Sequence, residues 1–186
     1  MKRISLLLAV SLSIVACKKE KNVSDSDLAS QTSMDSVQVP VQAVASIQEV
    51  TAQAFSETLK LSNDTLYVTN FFATWCGPCV REMPHFQDKI KEHEGKKVKF
   101  TFVSLDEKSD WNTKVPEFGD KYRILDKVVL LDGAALGKDF FKSNFDSWEG
   151  ASIPFTQFRQ GSKKKEIVGM MTKENMEEQF AAFTIQ

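Results

Sequence analysis

Histidine is nearly absent from this chain of 186 residues: there are two, His85 and His93, and none follows the second. Beside one cysteine pair a zinc site would need two further ligands, and these histidines do not come as a second paired motif, so no metal is expected. Cysteine is scarce too, with only Cys17, Cys76 and Cys79. A single close pair and one distant thiol cannot build a structural disulfide framework. An excess of charge of one sign is also missing. With 24 basic and 25 acidic residues the formal net charge is -1, which points to neither nucleic acid nor an anionic membrane surface as a partner. The apolar run at 4–15, interrupted only by serines, is too short to span a bilayer as a stable helix. No internal repeat is present. What remains is enough for one domain of ordinary size plus a tail, with 42% hydrophobic residues for a core and 26% charged residues for a surface.

Lys2 and Arg3 ahead of the apolar run fit the start of a secretory signal. The run ends in Ile14-Val15-Ala16-Cys17, which resembles the lipobox of bacterial lipoproteins. That resemblance implies a signal peptide over 1–16 and a lipid on Cys17; ordinary cleavage near Ala16, leaving a stray thiol, is the alternative. Residues 17–45 are Ser, Asp, Lys, Gln and Val in no clear period and read as a flexible tether. Random-coil scaling gives such a segment a reach on the order of 30 Å. The folded domain is expected over 46–186.

Within it, 47–50 reads as a short strand, and Thr51 as the N-cap of a helix with Phe55, Leu59 and Leu61 on its apolar side. Residues 66–72 form an apolar run suited to a central strand covered on both faces. A helix from Cys76 to about Glu94 should follow, stopped at Gly95 and kinked at Pro84. Strands are expected at 98–105 and 128–131, and helices at 116–122 and 136–145. Residues 155–159 and 165–168 read as a hairpin joined across Gln160-Gly161. Lys163-Lys164-Lys165, after Gly161-Ser162, reads as part of its solvated turn. Thr172 should cap a last helix, with Met176, Phe180 and Phe183 facing inward. Alternation of strands and helices at this spacing implies an α/β fold with a mainly parallel sheet, helices on both faces and an antiparallel edge.

The chemistry concentrates in Thr74-Trp75-Cys76-Gly77-Pro78-Cys79, at a strand-to-helix junction. A thiolate is the attacking species in disulfide exchange, and the unpaired amides and positive end of a helix N-terminus stabilise it. Cys76 is therefore the expected exposed nucleophile. Cys79, three residues on and on the same helix face, can attack a mixed disulfide and release the reduced partner. Gly77 and Pro78 shape the tight loop between the two sulfurs. A purely structural disulfide is the weaker reading, because so small a loop hardly constrains the unfolded chain. Trp75 has two readings: a shield and docking surface for the disulfide, or simple packing. His85 reads as a surface helix residue, Trp148 as a groove wall or a core residue, and Phe140, Phe141 and Phe145 as core.

Residues 70–79, Asn-Phe-Phe-Ala-Thr-Trp-Cys-Gly-Pro-Cys, with Arg81-Glu82-Met83-Pro84, resemble the TlpA/ResA-like thiol-disulfide oxidoreductases of the thioredoxin superfamily. The resemblance continues through 102–106 and 129–132 and ends with Ser152-Ile153-Pro154-Phe155-Thr156. It implies a thioredoxin-like fold, a central mixed sheet flanked by helices on both faces. It also implies that Pro154 is the cis-proline facing the cysteine pair, with the Ile153 backbone beside it able to pair with a substrate strand. It implies further that Glu82 exchanges a proton with the buried thiol of Cys79. Asn70 stands where cytoplasmic thioredoxins carry a buried aspartate, which shifts proton handling toward Glu82. A copper carrier of this fold would be expected to add a distal histidine, and none follows His93.

From these residues and the resemblance comes an expected function: an extracytoplasmic protein-disulfide reductase that needs no metal or organic cofactor. It would be a monomer held by its lipid to a membrane of the bacterial cell envelope, facing the periplasm. Its substrates would be exported proteins with disulfides, apocytochromes among the candidates, and its electrons would come from a membrane thiol-reducing donor. Disulfide oxidase, isomerase and non-enzymatic adaptor are the alternatives; Gly77-Pro78 and the isoleucine before Pro154 favour the reductase.

Overall fold

The computed structural model describes residues 47–186. The expected signal peptide, Cys17 and the tether lie outside the described residues.

Six strands form one sheet in the order β1-β4-β3-β2-β5-β6. In chain order they are β1 (Gln48–Val50), β2 (Leu66–Phe72), β3 (Val98–Ser104), β4 (Val128–Leu131), β5 (Phe155–Gln160) and β6 (Lys163–Val168). The first four are mutually parallel where they pair, while β5 runs antiparallel to β2 and β6 antiparallel to β5. Among the described residues four helices connect them, α1 (Ala52–Leu59), α2 (Gly77–Glu92), α3 (Lys114–Lys121) and α4 (Lys138–Asn144), and α5 (Lys173–Ala181) follows β6. The protein has a thioredoxin fold, an α/β sandwich with a mixed sheet.

Two aromatic cores divide the space above and below the sheet. On one face Met83 and Phe86 of α2, Val115 and Phe118 of α3, and Met176 and Phe180 of α5 pack on Val68, Phe72, Phe102 and Phe158. On the other, Phe55 and Leu59 of α1 join Phe71, Val103, Phe145, Trp148 and Phe155. The alternation of β2 explains the split, since neighbouring residues point to opposite faces. Phe72 goes to the α2 side and Phe71 to the α1 side. Phe71 meets Trp148 at 4.6 Å, and Trp148 stacks on Phe155 at 4.3 Å. Burial on both faces is why β2 reads as an almost unbroken apolar run.

Local signals fix the helix ends. Thr51 accepts a hydrogen bond from the Ala54 amide and Thr172 from the Asn175 amide, each at an N-cap. α2 runs through Pro84, and Gly95 beyond its end has φ +75°.

Four expectations differ from what is observed. Leu61 lies past the end of α1 and is exposed, because the helix stops at Leu59 with Lys60 as its cap. Lys163-Lys164-Lys165 belongs to edge strand β6 rather than to the turn, which is confined to Gly161 and Ser162. Lysines on an edge strand also discourage pairing with another chain. α3 starts at Lys114, two residues before Pro116, which sits in its first turn where a missing amide proton costs nothing. α4 begins at Lys138, since a separate 3-10 turn occupies Gly133–Ala135.

Candidate active site

The site lies where the parallel strands end. β2 leads directly into Ala73-Thr74-Trp75 and then α2, and the register pairs Phe72 with Ser104 at the end of β3. The loops that follow the two strands therefore lie side by side. Asp106, buried after β3, accepts from the Thr74 amide at 3.0 Å, the Thr74 hydroxyl at 2.6 Å and the Ser104 hydroxyl at 2.9 Å. This clamp fixes the backbone two residues before the first cysteine.

Cys76 is the N-cap of α2 and Pro78 lies in its first turn. Cys76 and Cys79 form a disulfide. Cys76 Sγ also accepts the Cys79 amide at 3.2 Å, so an unpaired donor of the helix start points at the sulfur. Cys79 is fully buried, and Cys76 exposes only 5% of its surface. The nucleophile expected to be exposed is thus buried in this disulfide form, with the Ile153 carbonyl oxygen close against its sulfur. Trp75, by contrast, is 70% exposed, which removes simple packing as its role. Together with Phe118, Lys114, Glu117 and Lys121 it lines a shallow groove of about 380 Å³ next to the cysteines.

The Ile153–Pro154 peptide bond is cis, and the Ile153 carbonyl oxygen lies 3.7 Å from Cys76 Sγ. The segment before it is anchored at Ser152. Trp148 Nε1 donates to the Ser152 carbonyl at 2.8 Å, so Trp148 both closes the second core and supports this loop. After the proline, the Gly169 amide donates to the Pro154 carbonyl at 2.8 Å.

Glu82, one turn beyond Cys79, is fully buried. Its Oε1 accepts from Asn70 Nδ2 at 2.9 Å and its Oε2 from the Met171 amide at 3.0 Å. Burial pushes its carboxyl up to about 7; the bonds from Met171 and Asn70 pull the other way without offsetting it. Asn70 Nδ2 donates a second bond to Thr156 Oγ1 at 2.9 Å, across a directly opposed β2–β5 pair. Its Oδ1 is buried with no partner among the described residues. Such an atom costs about 1–3 kcal/mol when left unsatisfied.

The structure therefore gathers Trp75, Cys76, Gly77, Pro78, Cys79, Ile153 and Pro154 around the disulfide, with Trp75 exposed and Cys79 buried, and Glu82 buried one turn further along α2. His85 is half-buried on α2. His93 is buried against the far end of that helix, its Nδ1 2.8 Å from the Lys89 carbonyl and its ring stacked on Phe180. Four contributors escaped the sequence reading: Asp106, Thr156, the Met171 amide and Glu166, which braces the loop before Trp148. An acidic residue closing a hydrophobic strand was the one available signal for Asp106.

Comparison with known proteins agrees with this geometry. The Thioredoxin family model matches residues 46–118. A thioredoxin of Echinococcus granulosus is 33% identical over 97 residues, which are 50% of this chain and 82% of that protein. The thiol-disulfide oxidoreductase ResA of Oceanobacillus iheyensis is 35% identical over 135 residues, 70% of this chain and 65% of that protein. The chain spans between about half and two thirds of the length of the first curated relatives it matches. A thiol:disulfide interchange protein of Chlorobium tepidum TLS superposes with a TM-score of 0.54 at 23% identity, covering 69% of this chain and 83% of that one. It shares the fold.

Proposed function

The chain belongs to the thioredoxin family, and from that membership we propose that it is a thiol-disulfide oxidoreductase of the ResA type, acting outside the cytoplasm as a protein-disulfide reductase. One observation carries the reading: a Cys76–Cys79 disulfide at the start of α2, facing the cis Ile153–Pro154 bond, with a buried carboxyl one turn below.

In the reduced protein the Cys76 thiolate, held by the helix start, attacks one sulfur of a substrate disulfide. A mixed disulfide forms and one substrate thiolate leaves. Glu82 takes the proton of Cys79, whose thiolate then attacks Cys76 Sγ. The Cys76–Cys79 disulfide forms and the second substrate thiolate leaves. Two electrons have passed to the substrate, and a thiol donor outside this chain must return two to restore the dithiol. A carboxyl poised near 7 is suited to both taking and giving back that proton.

The remaining parts of the proposal rest on sequence. The lipobox-like Ile14-Val15-Ala16-Cys17 supports an exported, lipid-anchored protein, with exported disulfide proteins as substrates and a membrane thiol reductant as donor.

The test is the reduction potential of the Cys76–Cys79 pair, measured by equilibration with dithiothreitol and glutathione buffers. A value near or below roughly -270 mV, where thioredoxin lies, supports electron delivery to substrates. A value toward about -120 mV, typical of a strong oxidant, reverses the direction. A pair that does not cycle removes the enzymatic reading.

A further inference from the structure

Asn70 carries an anomaly that its hydrogen bonds explain. The same Nδ2 serves Glu82 Oε1 and Thr156 Oγ1, both at 2.9 Å, while Oδ1 on the other side of the amide has no hydrogen-bond partner among the described residues. This arrangement suits an ionised Glu82, which accepts at both oxygens. It does not suit a protonated one. Oε2 faces the Met171 amide, a group that can only donate, so Oε1 is the oxygen left to carry a proton. A protonated Oε1 would then point its hydrogen at the N–H of Asn70, donor against donor.

Rotating the amide by 180° removes the conflict. Oδ1 then occupies the position of Nδ2, within the same 2.9 Å of both neighbours, and accepts from the Glu82 O–H. The Thr156 hydroxyl, able to donate as well as accept, turns to donate to the same oxygen. One half of the amide lacks a partner in either orientation, the C=O in the first and both N–H donors in the second.

We propose that Asn70 is a positioning residue whose side-chain amide turns over with the protonation of Glu82, Thr156 exchanging donor and acceptor roles with it. The inference rests on the reading of Glu82 as the proton carrier. It gives that carrier a partner matched to both of its forms, which a permanently cationic or donor-only neighbour could not supply. No charged side chain enters the environment that sets the Glu82 carboxyl; burial, the Met171 amide and Asn70 do. Cys79, one turn before Glu82 on α2, is silent while it is in the disulfide.

The experiment follows the oxidised full chain by NMR across neutral pH, reading the Asn70 side-chain amide and the Glu82 carboxyl carbon. The Asn70 signals should shift with the same midpoint as Glu82. In Asn70→Leu, which removes a charge-assisted bond to the ionised acid, the Glu82 midpoint should rise by about one pH unit or more. Thr156→Ser should preserve the wild-type midpoint and the coupled amide shift. Asn70 signals that stay constant while Glu82 titrates would overturn the proposal, and that comparison needs only the unmodified protein. Disulfide exchange by the same sample separates the two claims: an inactive pair defeats the enzymatic reading, whereas the amide response is read without turnover.

Discussion

Asp106 holds Thr74 by both its backbone amide, at 3.0 Å, and its hydroxyl, at 2.6 Å, and so connects the end of β3 to the turn that presents Cys76. The contact is long-range in sequence and local in space, because β2 and β3 end in register.

Replacing Asp106 by alanine leaves the Thr74 amide and the Thr74 and Ser104 hydroxyls without their acceptor. Each such loss is worth about 1 kcal/mol or more when the group is buried, so a total of roughly 2–4 kcal/mol is expected. Denaturant unfolding of the oxidised protein measures it. Disulfide exchange should slow as well, since Cys76 loses its fixed approach. Unchanged stability together with an unchanged rate would mean that the clamp is incidental.

Glu82 predicts an unusual pH dependence. Unfolded, its carboxyl ionises near 4.5; folded, burial pushes it up to about 7. Between those values the folded protein binds more protons than the unfolded chain, so stability falls as pH rises through the window and levels off above it. The expected loss is about 3 kcal/mol. Glu82→Gln resembles the protonated acid and should remove this slope while keeping the low-pH stability. Denaturant melts at about pH 5 and about pH 8 decide it; parallel losses in both proteins would assign the slope elsewhere.

What the sequence could and could not disclose follows from the range of each interaction. The caps at Thr51 and Thr172 and the Cys76–Cys79 spacing depend on neighbours a few residues away, and they are legible as pattern. The apolar run of 66–72 announces a strand covered on both faces for the same reason. Leu61 misleads because its helical phase continues one step past a chain that has already left the helix. The Lys163-Lys164-Lys165 run misleads because composition cannot distinguish an exposed turn from an exposed edge strand. The environment of Glu82 is assembled from β2, β5 and the segment before α5, so neither Met171, which bonds it, nor Thr156, which bonds its partner Asn70, has a signature near residue 82.

Two glycines of similar backbone conformation should respond differently to alanine. Gly95 has φ +75° and open space, with no atom within 4 Å of where a Cβ would stand, so only the left-handed backbone is penalised, by about 1–2 kcal/mol. At Gly150, φ is +81° and a Cβ would meet Phe141 Cζ at 2.3 Å, which adds about 1–3 kcal/mol of overpacking in the core beside Trp148. Comparing the unfolding free energies of Gly95→Ala and Gly150→Ala tests this ordering. Equal losses would show that the Phe141 ring moves aside freely.

Glu166 makes the most specific prediction for substrate handling. It stands on edge strand β6, opposite Gln157, with its carboxylate turned onto the loop that leads to Trp148 and Pro154. It accepts from the Asp146 amide at 2.9 Å, the Ser147 amide at 2.8 Å, the Ser147 hydroxyl at 2.9 Å and Gln157 Nε2 at 3.1 Å. These bonds hold the loop and touch neither cysteine nor Glu82. In Glu166→Ala the loop should lose its fixed position while the reduction potential stays put. KM for a disulfide-bonded protein should then rise by up to about tenfold, the equivalent of one lost bond to a charged acceptor, with kcat nearly unchanged. A small disulfide reagent does not need the loop and should react at the wild-type rate. If protein and reagent slow equally, Glu166 acts on the cysteine pair rather than on docking; if neither slows, the loop holds its place without it.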